Sequence, residues 1–352
     1  MQRCLQLAAL AKGHTAPNPM VGAVLVHEGR IIGEGYHRQY GQAHAEVNCF
    51  ESVAETDRHL VPASVLYVSL EPCAHFGKTP PCAHRIVKEG VKKVVICNRD
   101  PFAQVDGKGI SILQDNGIEV ITGVLEQEGA WLNRRFFTFH KEHRPYIILK
   151  WAQTDNGFFA PADRSRFQMS NAYSQRLSHQ WRREEAAILV GTRTALNDNP
   201  QLLSRYGAGR QPLRIALDKE LQLPATHQLL SGTHPTWIIN RLRDGTEGHT
   251  RYVHYDGGAG VMDFLLALLY RENIQSLIVE GGAVLLQSCI DAGLWDEARV
   301  LITPPVLEQG IAAPAVSNAT LLLDTALDQD RLRVFGRDAH SYTPLTGTAL
   351  SL

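Results

Sequence analysis

The sequence has no excess of charge of either sign and no apolar run long enough to cross a membrane. Its 352 residues carry 35 lysines and arginines against 36 aspartates and glutamates, a formal net charge of −1. This balance argues against a basic surface for a polynucleotide, so we expect a small-molecule ligand and no nucleic acid partner. A transmembrane helix needs about 20 consecutive apolar residues. Because no such run is present, we expect no membrane partner.

The six cysteines show no spacing typical of a disulfide framework. Four of them, Cys4, Cys49, Cys97 and Cys289, are predicted to be buried, reduced side chains. The segment 1–12 lacks the cleavage site of a signal peptide and is predicted to form a helix. These features are typical of a cytoplasmic protein.

The remaining two cysteines belong to the most informative pattern in the chain. His44-Ala45-Glu46 is followed by Pro72-Cys73 and then by Pro80-Pro81-Cys82. One imidazole and two thiolates are three ligands for Zn²⁺, and they leave the fourth tetrahedral position open for water, as in catalytic zinc sites. Zinc lowers the pKa of such a water, and a nearby carboxylate that is not a ligand can carry its proton to a leaving amine. We therefore predict His44, Cys73 and Cys82 as zinc ligands and Glu46 as the proton carrier.

This pattern is typical of zinc-dependent nucleobase deaminases, although the two cysteines are further apart here than in the common P-C-x-x-C form. A structural zinc site is the main alternative, and it would need a fourth cysteine or histidine. Candidates for that ligand are Cys49, Cys97, His75 and His84. His37 is a further alternative ligand, but its position at a strand end better suits contact with a substrate.

Strands and helices alternate in both halves of the chain, which predicts an α/β fold. In the first half, strands are predicted at 21–26, 31–35, 64–70 and 91–97, and helices at 43–54, 81–88 and 107–116. In the second half, strands are predicted at 146–150, 186–190, 213–217, 236–239, 276–279 and 298–302, and helices at 171–183 and 261–273. A charged stretch that ends at Arg144-Pro145 separates the halves, so we predict domains at 1–143 and 144–352.

Two glycine-containing turns in the second half follow predicted strands and precede predicted helices. They are Val190-Gly191-Thr192 and Glu280-Gly281-Gly282. Backbone amides at such turns often bind phosphates. Neither turn has the G-x-G-x-x-G pattern of a dinucleotide site. The spacing alone therefore leaves open whether these glycines bind a cofactor or only shape the turns.

An ordered set of motifs resembles the family of bifunctional pyrimidine deaminase/reductases of riboflavin biosynthesis. The motifs lie at 15–24, 35–37, 44–47, 69–73, 77–82, 144–145, 188–192, 197–200 and 280–282. The resemblance implies a cytidine-deaminase-like N-terminal domain with zinc and a dihydrofolate-reductase-like C-terminal domain with NADPH. The first would deaminate 2,5-diamino-6-ribosylamino-4(3H)-pyrimidinone 5′-phosphate, and the second would reduce the ribosyl group of the product to ribityl.

The resemblance also implies further site residues. Matching positions for substrate contact are Asn18, His37, Lys78, Arg182, Leu202, Arg205 and Glu280, and matching positions for cofactor contact are Thr194, Asp198 and Gly282. An amide such as that of Asn18 can both donate to and accept from a pyrimidine edge, and arginines suit a phosphate. Arg182 is equally compatible with a solvated helix face, and Asp198 with a helix end. We expect the chain to form a homo-oligomer.

Two segments depart from the family pattern. Thr154-Asp155-Asn156-Gly157 stands where the family usually has Ser-Leu-Asp-Gly, and Phe167-Gln168-Met169-Ser170 stands where it usually has a tryptophan. These departures predict a change in efficiency or cofactor preference of the reductase half only. Two other functions remain as alternatives. One is a tRNA-type nucleic acid deaminase with an accessory domain, and the other is a zinc-stabilised scaffold without activity.

Overall fold

A computed structural model describes residues 1–74, 80–163, 165, 167, 169–207 and 209–337. The chain divides into two compact units, Met1–Glu142 and His143–Leu352. Both units consist of a β-sheet covered by helices, as the α/β prediction requires. Among the described residues, no helix combines the length and the apolar character needed to cross a membrane.

A five-stranded sheet forms the centre of the first unit, with the strand order β2-β1-β3-β4-β5. Its strands are β1 (Gly22–His27), β2 (Arg30–Tyr36), β3 (Val65–Leu70), β4 (Lys93–Asn98) and β5 (Glu119–Thr122). β1 is antiparallel to both β2 and β3, whereas β3, β4 and β5 run parallel. The three parallel strands therefore end at the same edge of the sheet.

Helices cover this sheet and bury its apolar side chains. They are α1 (Gln2–Ala9), α2 (Ala45–Glu51), a 3₁₀ helix (Glu55–Ala63), α3 (Cys82–Glu89), α4 (Lys108–Asp115), α5 (Glu126–Leu132) and α6 (Arg134–Glu142). Leu25, Leu66 and Ile96 from the strands pack with Phe50 and Ile86 from the helices in one fully buried cluster. This packing fixes the starts of α2 and α3 near the sheet.

Gly35 allows α2 to lie directly on β2. A Cβ atom at this position would stand 2.3 Å from the backbone nitrogen of Cys49 and 2.5 Å from the carbonyl oxygen of Ala45. No side chain fits in that space, so only glycine permits this approach. The close contact holds the N-terminus of α2, which carries His44 and Glu46, against the sheet.

The second unit is built on a ten-stranded sheet with the order β11-β12-β10-β9-β8-β13-β6-β14-β17-β16. The strands of this unit are β6 (Tyr146–Thr154), β7 (Phe158–Pro161), β8 (Ala187–Gly191), β9 (Leu213–Leu217), β10 (Thr236–Asn240), β11 (Gly245–Glu247), β12 (Thr250–His254), β13 (Ser276–Val279), β14 (Glu297–Thr303), β15 (Gly310–Ala312), β16 (Ala319–Leu327) and β17 (Asp330–Arg337). The strands from β12 to β14 in this order are parallel, and the edges formed by β11 and by β17 and β16 are antiparallel. β7 and β15 form a separate two-stranded sheet.

Four helices accompany this sheet: α7 (Ala172–Glu184), α8 (Thr192–Asp198), α9 (Val261–Arg271) and α10 (Ala283–Asp291). Apolar side chains fill both faces of the central strands, as parallel sheets require. Every strand predicted from the sequence is present, with ends shifted by a few residues. The strands β5, β7, β11, β12, β15, β16 and β17 had not been predicted. Their residues are largely half-exposed or polar, so their apolar signal is weak.

Candidate functional site

Three predicted zinc ligands meet at one point of the first unit. His44 immediately precedes α2, Cys73 lies in the loop after β3, and Cys82 is the first residue of α3. His44 Nδ1 is 3.5 Å from Cys73 Sγ and 3.3 Å from Cys82 Sγ. All three ligand atoms lie within 4.8 Å of one another.

These separations fit a tetrahedral zinc ion. With ordinary Zn–S and Zn–N bond lengths, tetrahedral geometry places a sulfur about 3.6 Å from the nitrogen and about 3.8 Å from the other sulfur. No fourth histidine, cysteine or carboxylate among the described residues joins the cluster. His75, one candidate for a fourth ligand, belongs to residues 75–79 and lies outside the described part of the chain. Within the described part of the chain, the donor set is therefore that of a site with one open position.

The local backbone favours ionised sulfur at this point. The backbone N–H of Cys82 donates a hydrogen bond to Cys73 Sγ over 3.3 Å. Hydrogen bonds from Cys82 and His44 lower the pKa of the Cys73 thiol to about 4, although burial acts in the opposite direction. The position of Cys82 at the N-terminus of α3 also favours negative charge. Since the thiolate is the form that binds metal, the arrangement suits zinc.

Glu46 lies beside the ligands without being one of them. It stands in the first turn of α2, and its side chain is only 3% exposed. Its carboxyl is hydrogen-bonded with the Cys82 thiol, and burial raises the pKa of Glu46 above its ordinary value. A carboxyl beside a metal site that is not itself a ligand can accept a proton and pass it on.

Asn18 and His37 form a hydrogen-bonded pair next to the cluster. The Nδ2 atom of Asn18 is 3.1 Å from His37 Nε2, and His37 Nδ1 is 3.0 Å from the carbonyl oxygen of Ala43. A carbonyl can only accept, so the Nδ1 atom carries the proton, and in a neutral ring Nε2 then accepts from the amide of Asn18. Burial lowers the pKa of His37, in agreement with a neutral ring. The pair therefore fixes which way the Asn18 amide points.

His37 is packed close to the metal ligands. Its ring lies 5.4 Å from the ring of His44, edge to face, and only 2% of the residue is exposed. His37 is absent from the set of side chains that could hold a metal ion. Lys78, the third predicted substrate contact of this half, belongs to residues 75–79 and lies outside the described residues.

A buried ionic group in the second unit brings together two of the predicted substrate contacts. Arg182 of α7 donates to both carboxylate oxygens of Glu280. Its Nε atom is 2.8 Å from Oε1, and its Nη2 atom is 2.6 Å from Oε2. Lys150 Nζ lies 3.9 Å from the same carboxylate. Burial alone would raise the pKa of Glu280, but Arg182 and Lys150 hold it at about 2. The carboxylate is thus charged at any physiological pH.

Lys150 had not been identified from the sequence. In the parallel register of β6 and β13, Leu149 stands opposite Val279, so the next residues along each strand, Lys150 and Glu280, are neighbours. One feature of the sequence could have identified it, because Lys150 is a charged residue that interrupts the buried apolar run of β6. A buried lysine that lacks an opposite charge is costly, so this position itself predicts a carboxylate partner.

Two of the predicted cofactor contacts meet at the start of α10. Thr194 of α8 packs against the turn before α10, where a Cβ at Gly281 would lie 2.7 Å from Thr194 Cγ2 and a Cβ at Gly282 3.0 Å from Thr194 Oγ1. Gly282, with φ at +38°, precedes the first residue of the helix. The lack of a side chain at both glycines is therefore what allows Thr194 to pack against this turn.

The other predicted residues of this half lie at the end of α8 and on the segment that follows it. Asp198 ends α8 and is exposed, as is Arg205, whose backbone N–H donates to His179 Nδ1 over 3.2 Å. Leu202 is buried in an apolar cluster, with φ at +57°. The side chain of Leu202 is therefore not exposed to a ligand.

Residues 154–157, which differ from the usual family sequence, form an ordered turn between β6 and β7. The Thr154 hydroxyl donates to Asn156 Oδ1 over 2.8 Å and accepts from the backbone N–H of Phe158 over 2.9 Å. Asn156 Nδ2 donates to the carbonyl oxygen of Leu307 over 2.7 Å. The substituted residues thus supply their own hydrogen bonds. In the second departure, Gln168 lies outside the described residues, and Phe167 is exposed.

Each half of the chain matches the model of a known protein family. Residues 1–98 match the cytidine and deoxycytidylate deaminase zinc-binding region, and residues 145–341 match the RibD C-terminal domain. The chain is 39% identical to the riboflavin biosynthesis protein RibD of Aquifex aeolicus over 89% of this chain and 88% of the relative. It is 37% identical to RibD of Bacillus amyloliquefaciens over 90% of this chain and 86% of the relative.

Solved structures show the same likeness. A crystal structure of a diaminohydroxyphosphoribosylaminopyrimidine deaminase/5-amino-6-(5-phosphoribosylamino)uracil reductase from Thermotoga maritima is 31% identical, with a TM-score of 0.87, and the match covers 96% of this chain and 97% of that one. The matches confirm the predicted α/β fold class, with a cytidine-deaminase-like domain followed by the C-terminal domain of RibD. The chain belongs to the RibD family of riboflavin biosynthesis enzymes.

Proposed function

We propose that the chain catalyses two consecutive steps of riboflavin biosynthesis at two separate sites. Residues 1–143 deaminate 2,5-diamino-6-ribosylamino-4(3H)-pyrimidinone 5′-phosphate by hydrolysis, and residues 144–352 reduce the ribosyl group of the product to ribityl. The cofactors are Zn²⁺ and NADPH. The observation that carries the proposal is the meeting of one imidazole and two thiols beside a buried carboxyl, Glu46. The named activity of the Thermotoga maritima relative supports it.

In the deaminase, His44, Cys73 and Cys82 hold the metal ion. Bound zinc supplies a Lewis acid that lowers the pKa of a water molecule. Glu46 accepts the proton of this water and then delivers it to the departing amine. Burial raises the pKa of this carboxyl, which favours its uptake of the proton.

Asn18 and Lys78 position the substrate. The hydrogen bond with His37 uses the NH₂ group of Asn18, so the amide oxygen remains to accept from an N–H group of the pyrimidine. His37 fixes this orientation and belongs to the substrate pocket. Lys78 binds the phosphate as a positive charge.

In the reductase, Thr194, Asp198 and Gly282 bind NADPH, which supplies the hydride. Arg182, Arg205 and the backbone of Leu202 bind the substrate, with Arg205 as the exposed guanidinium that meets its phosphate. Glu280 is ionised and held by Arg182, so it accepts hydrogen bonds from hydroxyl groups of the sugar.

We further propose a cytoplasmic, homo-oligomeric enzyme that takes no nucleic acid substrate. The near-neutral charge supports this choice over a tRNA deaminase, since polynucleotide binding relies on basic groups that neutralise phosphates. Light scattering of the purified chain checks the oligomeric state.

Assay of each half-reaction, together with metal analysis, tests the proposal. The purified chain is expected to contain one zinc ion per deaminase site, to release ammonia from the diaminopyrimidine substrate and to oxidise NADPH in the presence of the deaminated product. A zinc-loaded chain that performs neither reaction would contradict the proposal.

A further inference from the structure

Glu71 is a buried carboxylate in the first unit to which neither site above assigns a role. It lies between the end of β3 and the ligand Cys73, and it is 3% exposed. Its backbone N–H donates to the carbonyl oxygen of Asn98 over 2.9 Å, which extends the pairing of β3 with β4. A carboxylate removed from water must recover its hydrogen bonds from the protein.

Backbone amides from a distant segment supply those hydrogen bonds. Glu71 Oε1 accepts from the N–H groups of Gly109 at 3.0 Å and Ile110 at 3.3 Å. Glu71 Oε2 accepts from the N–H groups of Gly107 at 3.0 Å and Asp100 at 3.3 Å. Three of the four donors belong to the cap and first turn of α4. Amides at that point have no partner within a helix, and their partial positive charge favours an anion.

The same helix start presses against the backbone that leads to Cys73. A Cβ atom at Gly109 would lie 2.0 Å from the carbonyl oxygen of Pro72 and 3.2 Å from Glu71 Oε1. The Glu71–Pro72 segment is therefore held at its side chain by α4 and at its backbone by contact with Gly109. On the far side, the carbonyl oxygen of Cys73 accepts from the N–H of Ala83 over 3.2 Å.

We propose that Glu71 is a positioning residue for the Cys73 thiolate. Its carboxylate, bound to the N-terminus of α4, fixes the turn that presents this sulfur to the metal. Glu71 acts through Cys73, in the way that residues around a metal site orient its direct ligands. The inference rests on the zinc site of the proposed function.

The substitution Glu71→Gln tests this role, since it keeps the side-chain size. It replaces one acceptor oxygen with an NH₂ group, which faces two backbone N–H donors and can accept from neither. We expect zinc affinity, measured by competition with a chromophoric chelator, to fall about ten- to a hundredfold. In the cobalt-substituted protein, we also expect the thiolate-to-metal charge-transfer band to weaken. A role in folding alone would leave that band unchanged.

Two further variants serve as comparisons. Glu34→Gln changes a surface glutamate that pairs with Arg3 at 2.6 Å and 2.9 Å, and it is expected to leave zinc affinity and the cobalt spectrum as in the unmodified chain. Gly109→Ala disturbs the same turn from the other side, and it is expected to weaken zinc binding in the same direction as Glu71→Gln. Circular dichroism reports whether each variant is folded.

A folded Glu71→Gln variant with unchanged zinc affinity and an unchanged cobalt spectrum would overturn the inference while leaving the proposed function intact. If that variant does not fold, Glu71→Asp decides, because it keeps the charge on a shorter side chain and is expected to fold with weakened zinc binding. Two results would assign Glu71 to fold stability and overturn the inference. One is a folded Glu71→Asp variant that binds zinc as tightly as the unmodified chain, and the other is loss of the fold in both variants. An unmodified chain that binds no zinc would instead overturn the proposed function, and this inference with it.

Discussion

At the scale of single residues, the deaminase depends on the carboxyl of Glu46. In Glu46→Gln the zinc ligands are untouched, but the side chain can no longer accept a proton from water. We expect deamination to slow by about 10²- to 10⁴-fold, the usual contribution of general acid–base catalysis. Ammonia release measures the rate, and metal analysis checks that zinc is retained.

The control for this substitution is the reductase activity of the same preparation, which should not change. Deamination at the rate of the unmodified chain in a zinc-loaded Glu46→Gln variant would contradict the assigned role. It would instead favour the scaffold alternative, in which Glu46→Gln has no measurable effect.

Glu280 makes the folding stability of the second unit depend on pH. Its pKa is about 2 in the folded chain and 4.5 for the free side chain. As pH falls through this interval, the unfolded chain binds the proton first, so folding stability decreases with falling pH. The stabilisation from ionised Glu280 is complete above about pH 4.5 and is lost toward pH 2.

We therefore expect the difference in free energy of unfolding between the unmodified chain and Glu280→Gln to shrink as pH falls from 5 to 3. Denaturant unfolding at a series of pH values measures it. Glu247→Gln is a suitable control, because Glu247 is an exposed partner of Arg243 and contributes little. A difference independent of pH would show that Glu280 is not held ionised by Arg182 and Lys150.

At the scale of elements, the position of α2 on β2 depends on Gly35. The substitution Gly35→Ala forces a Cβ against the backbone of α2, 2.3 Å from the nitrogen of Cys49. Overpacking of this kind costs about 1–3 kcal/mol, and a clash with backbone leaves little room for relaxation. We expect a lower midpoint of thermal unfolding for the first unit and weaker zinc retention, because α2 carries His44.

Gly258→Ala provides the matched control, since the nearest atom to its Cβ would be a side-chain oxygen of Asp256 at 3.5 Å. It is expected to unfold at the same temperature as the unmodified chain. Equal stability of Gly35→Ala and Gly258→Ala would contradict the packing described for α2.

The sequence predicted the elements that carry strong local signals. The apolar run of β3 and the ordered His, Glu and Cys motif were sufficient to place the first site at strand ends and helix starts. The hairpin of β16 and β17 was missed, because all side chains of β16 are half-buried or exposed and only three of the eight residues of β17 are buried. Contacts between distant segments were also not predictable. The pairing of Lys150 with Glu280 follows from the register of β6 and β13, and the amides around Glu71 come from the fold of α4.

At the scale of the whole molecule, we expect the two sites of the chain to work independently of each other. Glu46→Gln should lack only deaminase activity, and Glu280→Gln only reductase activity. We expect a mixture of the two variants to convert the diaminopyrimidine substrate to the ribityl product, since each supplies the missing site and the intermediate is a free small molecule. Chromatography of the products measures the conversion.

A mixture of the unmodified chain with a double variant, Glu46→Gln and Glu280→Gln, sets the reference rate for the same number of active sites. Accumulation of the deaminated intermediate in the first mixture, without ribityl product, would contradict independent sites. Loss of both activities in either single variant would do the same.

The deaminase site requires that His44, Cys73 and Cys82 bind a zinc ion with one position left open to solvent. X-ray absorption at the zinc edge of the purified chain tests it directly. The account predicts a tetrahedral ion with two sulfur ligands at about 2.3 Å and two nitrogen or oxygen ligands at about 2.0 Å, one of them from His44 and the other from water. A spectrum that requires a third sulfur or a second imidazole, or a chain that holds no zinc, would contradict it.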